Sequence, residues 1–294
     1  MPPILTGIAA ATLLVINTVF WFTPLMTAAI IKLLLPLASI RRPLSRFVVW
    51  CAESWIRGNG LWMKLTLSIQ WQVERPSHLN PQGWYMVVSN HQSWVDILAL
   101  QYALGGKIPF LKFFLKKDLI WVPFMGLAWW ALDLPFMKRY SKAYLEKHPE
   151  KRGQDLETTR RSCEKFRDMP TSVMNFLEGT RFTQDKHDQQ HSPFTHLLKP
   201  KSGGMAFAMS VMGDRFRSLV DVTIHYPGKA PTFIEFLQGK MHRCHVIVEE
   251  RPIPEHLMSG DYQNDDRYRQ QFQQWVQQIW DEKNDRLERL KQSD

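Results

Sequence analysis

The chain has 294 residues, of which 45% are hydrophobic and 22% charged, and this balance excludes a disordered chain. The net charge of +9 at pH 7 allows nucleic acid, an anionic membrane surface or a phosphate-bearing substrate as partner. The three cysteines include no Cys-x-x-Cys pair. They therefore indicate a reducing compartment and neither a disulfide framework nor a zinc site.

The N-terminal stretch is the most apolar part of the chain. No charged side chain occurs between Pro3 and Ile31, and a membrane span needs roughly 20 apolar residues. Pro24 disfavours a continuous helix, so the pattern predicts two helices, at about 3–22 and 25–39. We expect either one span with an interfacial helix or a hairpin in one leaflet. A buried, soluble helix pair is the alternative.

Arginines follow this stretch at positions 41, 42 and 46. By the positive-inside tendency they place that end in the cytoplasm, so we expect the cytoplasmic (inner) membrane, with the remaining chain on its cytoplasmic side. The next segment mixes tryptophan with arginine and lysine, which is typical of an amphipathic segment on lipid or of a helix packed on a core.

A histidine and an aspartate follow a predicted buried strand, Trp84–Ser89, in the sequence NHQSWVD. The apolar run after them, Ile97–Leu104, predicts a helix that ends at two glycines. Inside one helix, five steps of roughly 100° would place His91 and Asp96 about 140° apart. They can meet only if His91 lies in the turn and Asp96 in the first helical turn.

An aspartate in that position can accept a hydrogen bond from one imidazole nitrogen and leave the other nitrogen as a base. The alternative is a polar turn in which Asn90 or Ser89 caps the helix. The segment that follows the helix, residues 107–139, is rich in aromatic residues and lysine. It could cover an acyl chain, rest on the bilayer, or form core with a basic edge.

A second polar cluster, Glu178-Gly179-Thr180-Arg181, follows a predicted strand at Ser172–Leu177. If this strand is a parallel neighbour of the first, both clusters lie on the edge where open α/β sheets bind ligands. Arg181 suits a phosphate, and Gly179 would let the backbone approach it. Further helices are predicted at about 155–166, 203–213 and 262–292, and strands at 69–73, 219–226, 232–237 and 245–249.

Several catalytic signatures are absent from the sequence: GxSxG, the P-loop, GxGxxG and HExxH. His187, His191 and His196 lie close in sequence, but among polar residues and proline, and we expect no metal site. A base beside a phosphate clamp, on a domain anchored in a membrane, favours chemistry on the hydroxyl of a phosphorylated lipid.

The two clusters together resemble the lysophospholipid acyltransferases, the glycerolipid acyltransferases with an N-H-x4-D motif. That motif is matched by Asn90, His91 and Asp96, and the family's F-x-E-G-T-R motif by Phe176, Glu178, Gly179, Thr180 and Arg181. The family's second block is matched loosely by Lys117, Pro123, Gly126, Phe136, Met137 and Arg139. The fourth motif, Val222-Thr223-Ile224, lacks the usual proline. This variant motif, together with the stretches RFTQDKH and LLKPKSGG, resembles the subgroup that acylates assorted lysophospholipids.

The resemblance implies an α/β fold with a mixed sheet flanked by helices and an N-terminal two-helix membrane element. It implies acyl transfer from acyl-CoA or acyl carrier protein to a lysophospholipid hydroxyl, with 1-acyl-sn-glycerol-3-phosphate as the leading acceptor and no cofactor. His91 and Asp96 are the expected catalytic residues. The expected acceptor-binding residues are Glu178, Gly179, Thr180, Arg181, Arg139 and Lys117. We divide the chain into membrane helices (1–40), an interfacial segment (41–68), an acyltransferase domain (69–260) and a C-terminal helix (261–294).

Other functions stay open at this point. A lysophospholipase would use water in place of the acceptor hydroxyl, and a membrane scaffold could keep the fold without catalysis. A basic nucleic-acid-binding protein fits the charge but leaves the apolar start without a role, so no nucleic-acid partner is expected. The acceptor headgroup, acyl-chain length, donor carrier and oligomeric state are not determined by the sequence.

Overall fold

The computed structural model describes residues 2–35, 37–113, 115–122, 124–134, 136–137 and 169–294. Two long helices come first, α1 at Pro3–Leu34 and α2 at Ala38–Thr66. They pack against each other as a hairpin. By length and composition α1 could cross a membrane, and it is the one such helix among the described residues.

The predicted helix break at Pro24 is wrong, because α1 continues through this residue and the chain turns only after Leu34. Proline removes one helical hydrogen bond and crowds the preceding turn, but packing on α2 compensates. Leu25 and Ala28, directly after the proline, are buried in a cluster that includes Val48 and Cys51 of α2. Side-chain burial along the helix therefore overrides the local preference of the proline.

A six-stranded mixed sheet carries the rest of the chain, which confirms the expected fold class. Its main strands are β1 (Gln70–Glu74), β2 (Tyr85–Ser89), β3 (Leu111–Phe113), β6 (Ser172–Phe176), β7 (Ser218–His225) and β8 (Arg243–Arg251). They lie in the order β1-β8-β7-β2-β6-β3. The last four of these strands are parallel, and β8 runs antiparallel to β7. A separate two-stranded sheet joins β4 (Leu115–Lys116) to β5 (Phe136–Met137).

Helices cover both faces of the sheet. The helices that follow α2 along the chain are α3 (Val95–Leu104), α4 (Met125–Ala131), α5 (Gln184–Gln189), α6 (Gly203–Met212), α7 (Phe233–Leu237) and α8 (Asp266–Gln292). One apolar core lies between the sheet and α3, with parts of α1 and α2, and a second lies between the sheet, α6 and α8. The helix predicted at 155–166 lies outside the described residues.

The strand predicted at 232–237 is wrong, because this segment forms the short helix α7. Its apolar residues resemble a strand, but a reciprocal capping box starts a helix. The Thr232 side chain accepts a hydrogen bond from the Glu235 backbone, and the Glu235 carboxylate accepts one from the Thr232 backbone. Local backbone capping thus outweighs β propensity here.

The C-terminal helix α8 is held to the sheet by charge as well as by apolar packing. Lys283 is fully buried and pairs with the buried Asp221 of β7, and Arg286 lies on the same carboxylate. Burial lowers the pKa of the Lys283 ammonium, while the Asp221 carboxylate opposes that shift. Breaking such a buried network generally costs about 3–5 kcal/mol, so α8 is a fixed part of the domain.

Candidate active site

His91 and Asp96 meet at the carboxyl end of β2. His91 lies in the turn after the strand and Asp96 in the first turn of α3, which is the arrangement that the spacing required. His91 Nδ1 and Asp96 Oδ2 are 2.8 Å apart. The carboxylate therefore selects the tautomer with its proton on Nδ1 and leaves Nε2 as an acceptor.

The Asp96 carboxylate is fully buried and held by other donors as well. Oδ2 accepts the backbone N–H groups of Gln92 and Ser93 at 2.6 and 2.9 Å, and Oδ1 accepts the Tyr226 hydroxyl at 2.7 Å. Burial, and then the Asp96 charge, raise the pKa of Tyr226, so the phenol keeps its proton and remains a donor. These bonds fix the carboxylate that orients the histidine.

The His91 ring is held on a second side by Phe176, the last residue of β6. The two rings stack with centroids 3.9 Å apart and an interplanar angle of 13°. The His91 side chain is 15% exposed, and no described residue hydrogen-bonds its Nε2. One nitrogen of a rigidly oriented imidazole is thus open to a ligand.

The capping alternative for this turn is wrong. The Asn90 side chain instead hydrogen-bonds both backbone groups of Ile224 on β7, at 2.8 and 2.9 Å. The residue at the N-cap of α3 is Trp94, and its side chain makes no capping hydrogen bond. The Ser93 hydroxyl donates to the Pro231 carbonyl. Asn90 and Ser93 therefore tie the turn to the β7 side of the site.

The second polar cluster lies on the same edge, because β2 and β6 are parallel neighbours with Ser89 opposite Phe176. Glu178 does not point outward, however: it is 1% exposed. Its Oε1 accepts the backbone N–H of His91 at 2.7 Å, and its Oε2 accepts that of Leu198 at 3.0 Å. Glu178 therefore holds the histidine turn in place, and its position does not support the predicted contact with an acceptor.

Burial raises the pKa of Glu178 to about 8, against the lowering effect of its two backbone hydrogen bonds. Desolvation penalises the charged form of a carboxylic acid, and few opposite charges lie near to offset it. Near neutral pH this group can therefore exist in its neutral form.

The other residues of the cluster form a basic turn. Gly179 has a φ of +67°, and a Cβ atom there would lie 3.2 Å from Cδ of Lys201, so the turn requires glycine. The Arg181 guanidinium lies 5.0 Å from the Trp94 ring centroid, a cation–π distance. Lys186 donates to the Thr180 hydroxyl at 2.8 Å and to the Arg181 carbonyl at 2.9 Å. The Phe182 backbone N–H donates to the His91 carbonyl at 2.7 Å, so this basic turn is attached to the histidine turn and could offer its cations to a phosphate.

For two predicted residues, the acceptor-binding role stays a prediction. Lys117 starts a short 3-10 helix, Lys117–Trp121, and Arg139 lies outside the described residues. Sequence reasoning missed Tyr226, Lys186, the ring of Phe176 and the support of Leu198. Tyr226 directly follows β7, a parallel neighbour of β2, so the rule that ligands lie at strand carboxyl ends could have found it. Nothing in the sequence marks the contact of Leu198.

Fold and site together define an α/β protein with a carboxylate-oriented histidine and a cluster of cations on one edge of its sheet. The sequence model of the Acyltransferase family matches residues 70–227. This match covers the strands that carry both polar clusters and more than half of the chain. The chain therefore belongs to the Acyltransferase family.

Its relatives include mammalian 1-acyl-sn-glycerol-3-phosphate acyltransferases. The gamma protein of Mus musculus is 24% identical over 255 residues, which are 79% of this chain and 62% of that protein. The delta protein of Rattus norvegicus is 27% identical over 182 residues, 57% of this chain and 45% of that protein. The chain thus spans about half to three fifths of these relatives' lengths.

The fold also matches a solved structure. The 1-acyl-sn-glycerophosphate (LPA) acyltransferase PlsC from Thermotoga maritima superposes with a TM-score of 0.55 at 17% identity, and the match covers 95% of each chain. At this identity the likeness concerns the fold alone. It extends over almost the whole length of both chains.

The hydroxyl of Tyr226 gives a first test of the site. We expect Tyr226→Phe to lower kcat about three- to tenfold and to leave the acceptor KM unchanged, because a buried Asp96 oxygen loses its donor. Tyr268→Phe is the matched control, since it removes a buried hydroxyl that bonds the Leu257 carbonyl instead. Steady-state kinetics of both variants test this role of the Tyr226 hydroxyl, and an equal loss of kcat in both would contradict it.

The raised pKa of Glu178 predicts a pH effect on stability. Between its ordinary value of 4.5 and about 8, the folded state keeps a proton that the unfolded state releases. The free energy of unfolding therefore falls as the pH rises through this window. In Glu178→Gln that contribution is absent, so the stability advantage of the wild type should shrink between pH 5 and pH 8. If the denaturation midpoints of both proteins change by the same amount across this pH range, the assignment is wrong.

Proposed function

We propose that this protein transfers a fatty acyl group from an acyl thioester to the free hydroxyl of a lysophospholipid, with 1-acyl-sn-glycerol-3-phosphate as the leading acceptor. The observation that carries the proposal is the His91–Asp96 pair, whose open Nε2 lies on the same sheet edge as Arg181. A general base and a phosphate-binding arginine on one sheet edge suit a phosphorylated lipid with a reacting hydroxyl.

The reaction needs one proton carrier. His91 Nε2 takes the acceptor hydroxyl proton as the oxygen attacks the thioester carbonyl, and Asp96 stabilises the imidazolium that forms. The tetrahedral intermediate then collapses, the C–S bond breaks, and the departing thiolate takes the proton from His91. An ester and a free thiol are the products, and no acyl-enzyme is needed. Ser93 is not a nucleophile in this scheme, because its hydroxyl is buried on Pro231.

An apolar cavity of about 230 Å³ gives an acyl chain a place to bind. It lies between α1, α2, α3 and the segment 110–134, the part of the chain that the sequence suggested as an acyl cover. Trp94 lines this cavity and also lies under Arg181. An acyl chain in the cavity and a phosphate on Arg181 would therefore meet close to His91.

The same segments present an apolar surface that suits a membrane. Large apolar side chains are exposed along α1, and others are exposed beside α4: Trp121 (84%), Phe124 (64%) and Leu127 (50%). The rings of Phe22 and Phe124 are in contact, with centroids 5.5 Å apart, which joins the two surfaces. A patch of this kind marks an interaction face, and we assign it to lipid.

The position of α1 favours a hairpin in one leaflet over a single span. Near its start, Gly7 lies against Gln238, and near its end Lys32 pairs with Asp133. A helix of 32 residues is about 48 Å long, yet it contacts the domain at both ends. It therefore lies along the domain, with its outer face in lipid. Arg41, which follows the hairpin turn, and its basic neighbours favour the cytoplasmic leaflet of the inner membrane.

The proposed donor, which the family resemblance implies, is an acyl thioester of coenzyme A or of acyl carrier protein. No metal or other cofactor takes part in this scheme. Among the described residues, no group of three or more His, Cys, Asp or Glu side chains is arranged to hold a metal ion. In this proposal His91 and Asp96 supply the acid–base chemistry.

The test of this function is acyl transfer by the purified protein in mixed micelles. With lysophosphatidic acid and an acyl-CoA, mass spectrometry should find phosphatidic acid, and His91→Ala should lower the rate by about 10²–10⁴-fold. His256→Ala, an exposed histidine far along the chain, is the control and should keep full activity. Full transfer by His91→Ala would refute the mechanism, and free fatty acid as product would indicate a lysophospholipase.

Arg181 should act mainly in binding. We expect Arg181→Ala to raise the KM for lysophosphatidic acid about ten- to hundredfold, the usual effect of losing a charged hydrogen bond. A fall in kcat instead would place the interaction in the transition state. Arg267→Ala, also an exposed arginine, is the matched control. If neither constant changes in Arg181→Ala, the phosphate assignment is wrong.

A further inference from the structure

A second group of cations lies on the same sheet edge as His91, on the far side from Arg181. Strand β7 ends there at His225, and β8, which is antiparallel to it, begins there at Arg243. The loop and short helix between these strands line a pocket of about 440 Å³ that is open to solvent. Its lining includes the exposed side chains of Lys229, Lys240, His242 and Arg243.

This pocket shares its wall with the candidate active site. Tyr226 lines the pocket, and its hydroxyl donates to Asp96, the partner of His91. Pro231 lines it as well, and its carbonyl accepts the hydroxyl of Ser93 in the histidine motif. Tyr226 and Pro231 therefore lie between the pocket and the histidine motif. A ligand in the pocket would extend toward His91 from the side opposite Arg181.

The charge of the pocket favours an anion. Three of its side chains, Lys229, Lys240 and Arg243, are permanent cations at neutral pH, and one carboxylate, Glu235, faces them. That carboxylate is already used in the capping box of α7, where it accepts the Thr232 N–H at 2.8 Å. The net charge of the lining is positive, and lysine and arginine at these positions suit phosphate oxygens.

We propose that this pocket binds the phosphate groups of the acyl donor's carrier, the nucleotide end of an acyl-CoA. The inference rests on the proposed function, which places the acceptor phosphate on Arg181 and leaves the donor to approach His91 from another direction. Two separate anion sites would hold the two phosphorylated substrates on opposite sides of one base. The headgroup of an anionic lipid has the same phosphate chemistry, so the test must separate the two sources.

The test compares Lys229→Gln/Lys240→Gln with Lys107→Gln/Arg289→Gln, which removes two exposed cations elsewhere. The first variant should raise the KM for palmitoyl-CoA about ten- to hundredfold. It should leave the KM for palmitoyl-N-acetylcysteamine, a thioester without phosphates, unchanged. The control should alter neither constant. An equal loss with both thioesters, or no loss with either, would overturn the proposal.

Direct binding separates this inference from the proposed function. Adenosine 3′,5′-bisphosphate, measured by calorimetry on the full-length protein, should bind the wild type and bind the pocket variant about tenfold or more weakly. A wild type that binds it but transfers no acyl group would refute the function while supporting the pocket. Absence of binding to the wild type would overturn the pocket assignment. A variant that loses only its sedimentation with phosphatidylglycerol vesicles would point to a lipid headgroup and overturn the donor assignment.

Discussion

One buried carboxyl group, that of Glu178, joins the parts of the chain on which the site depends. One oxygen holds the backbone of His91 and the other holds the backbone of Leu198. The Leu198 carbonyl in turn accepts the indole N–H of Trp280 on α8 at 2.9 Å. Since α8 is fixed to β7 through Lys283 and Asp221, the position of the catalytic turn is set by contacts that reach across the sheet to the C-terminal helix.

The two polar motifs are separate in sequence, but in the structure the second supports the first. The first motif carries the proposed base, but its backbone is held by a residue of the second. Within the second motif, Glu178 faces inward while Arg181 faces outward, although three positions separate them. The positive φ of Gly179 makes this reversal possible. A single short turn thereby both supports the base and presents the cation that we assign to the acceptor phosphate.

The family resemblance implied the mixed sheet, and the five-residue spacing defined the one way in which His91 and Asp96 could meet. That both polar clusters share a sheet edge depended on a parallel pairing of their strands, which the structure shows. Three features escaped prediction from the sequence for physical reasons. Packing on α2 carries α1 through Pro24, and a capping box makes a helix at Thr232. The inward position of Glu178 depends on a donor from Leu198, twenty residues away in sequence. Local patterns do not encode contacts that arise only when distant segments pack.

The setting of the histidine suits the lipid surface that we propose for this site. The acyl cavity is apolar and lies under the N-terminal hairpin, while the cations around Arg181 face water. Trp94 belongs to both regions, so the boundary between them passes beside His91. A lysophospholipid has the same division, with its free hydroxyl between an apolar chain and a charged phosphate. In the function that we propose, an amphipathic substrate held by both regions would present its hydroxyl at the boundary, beside His91.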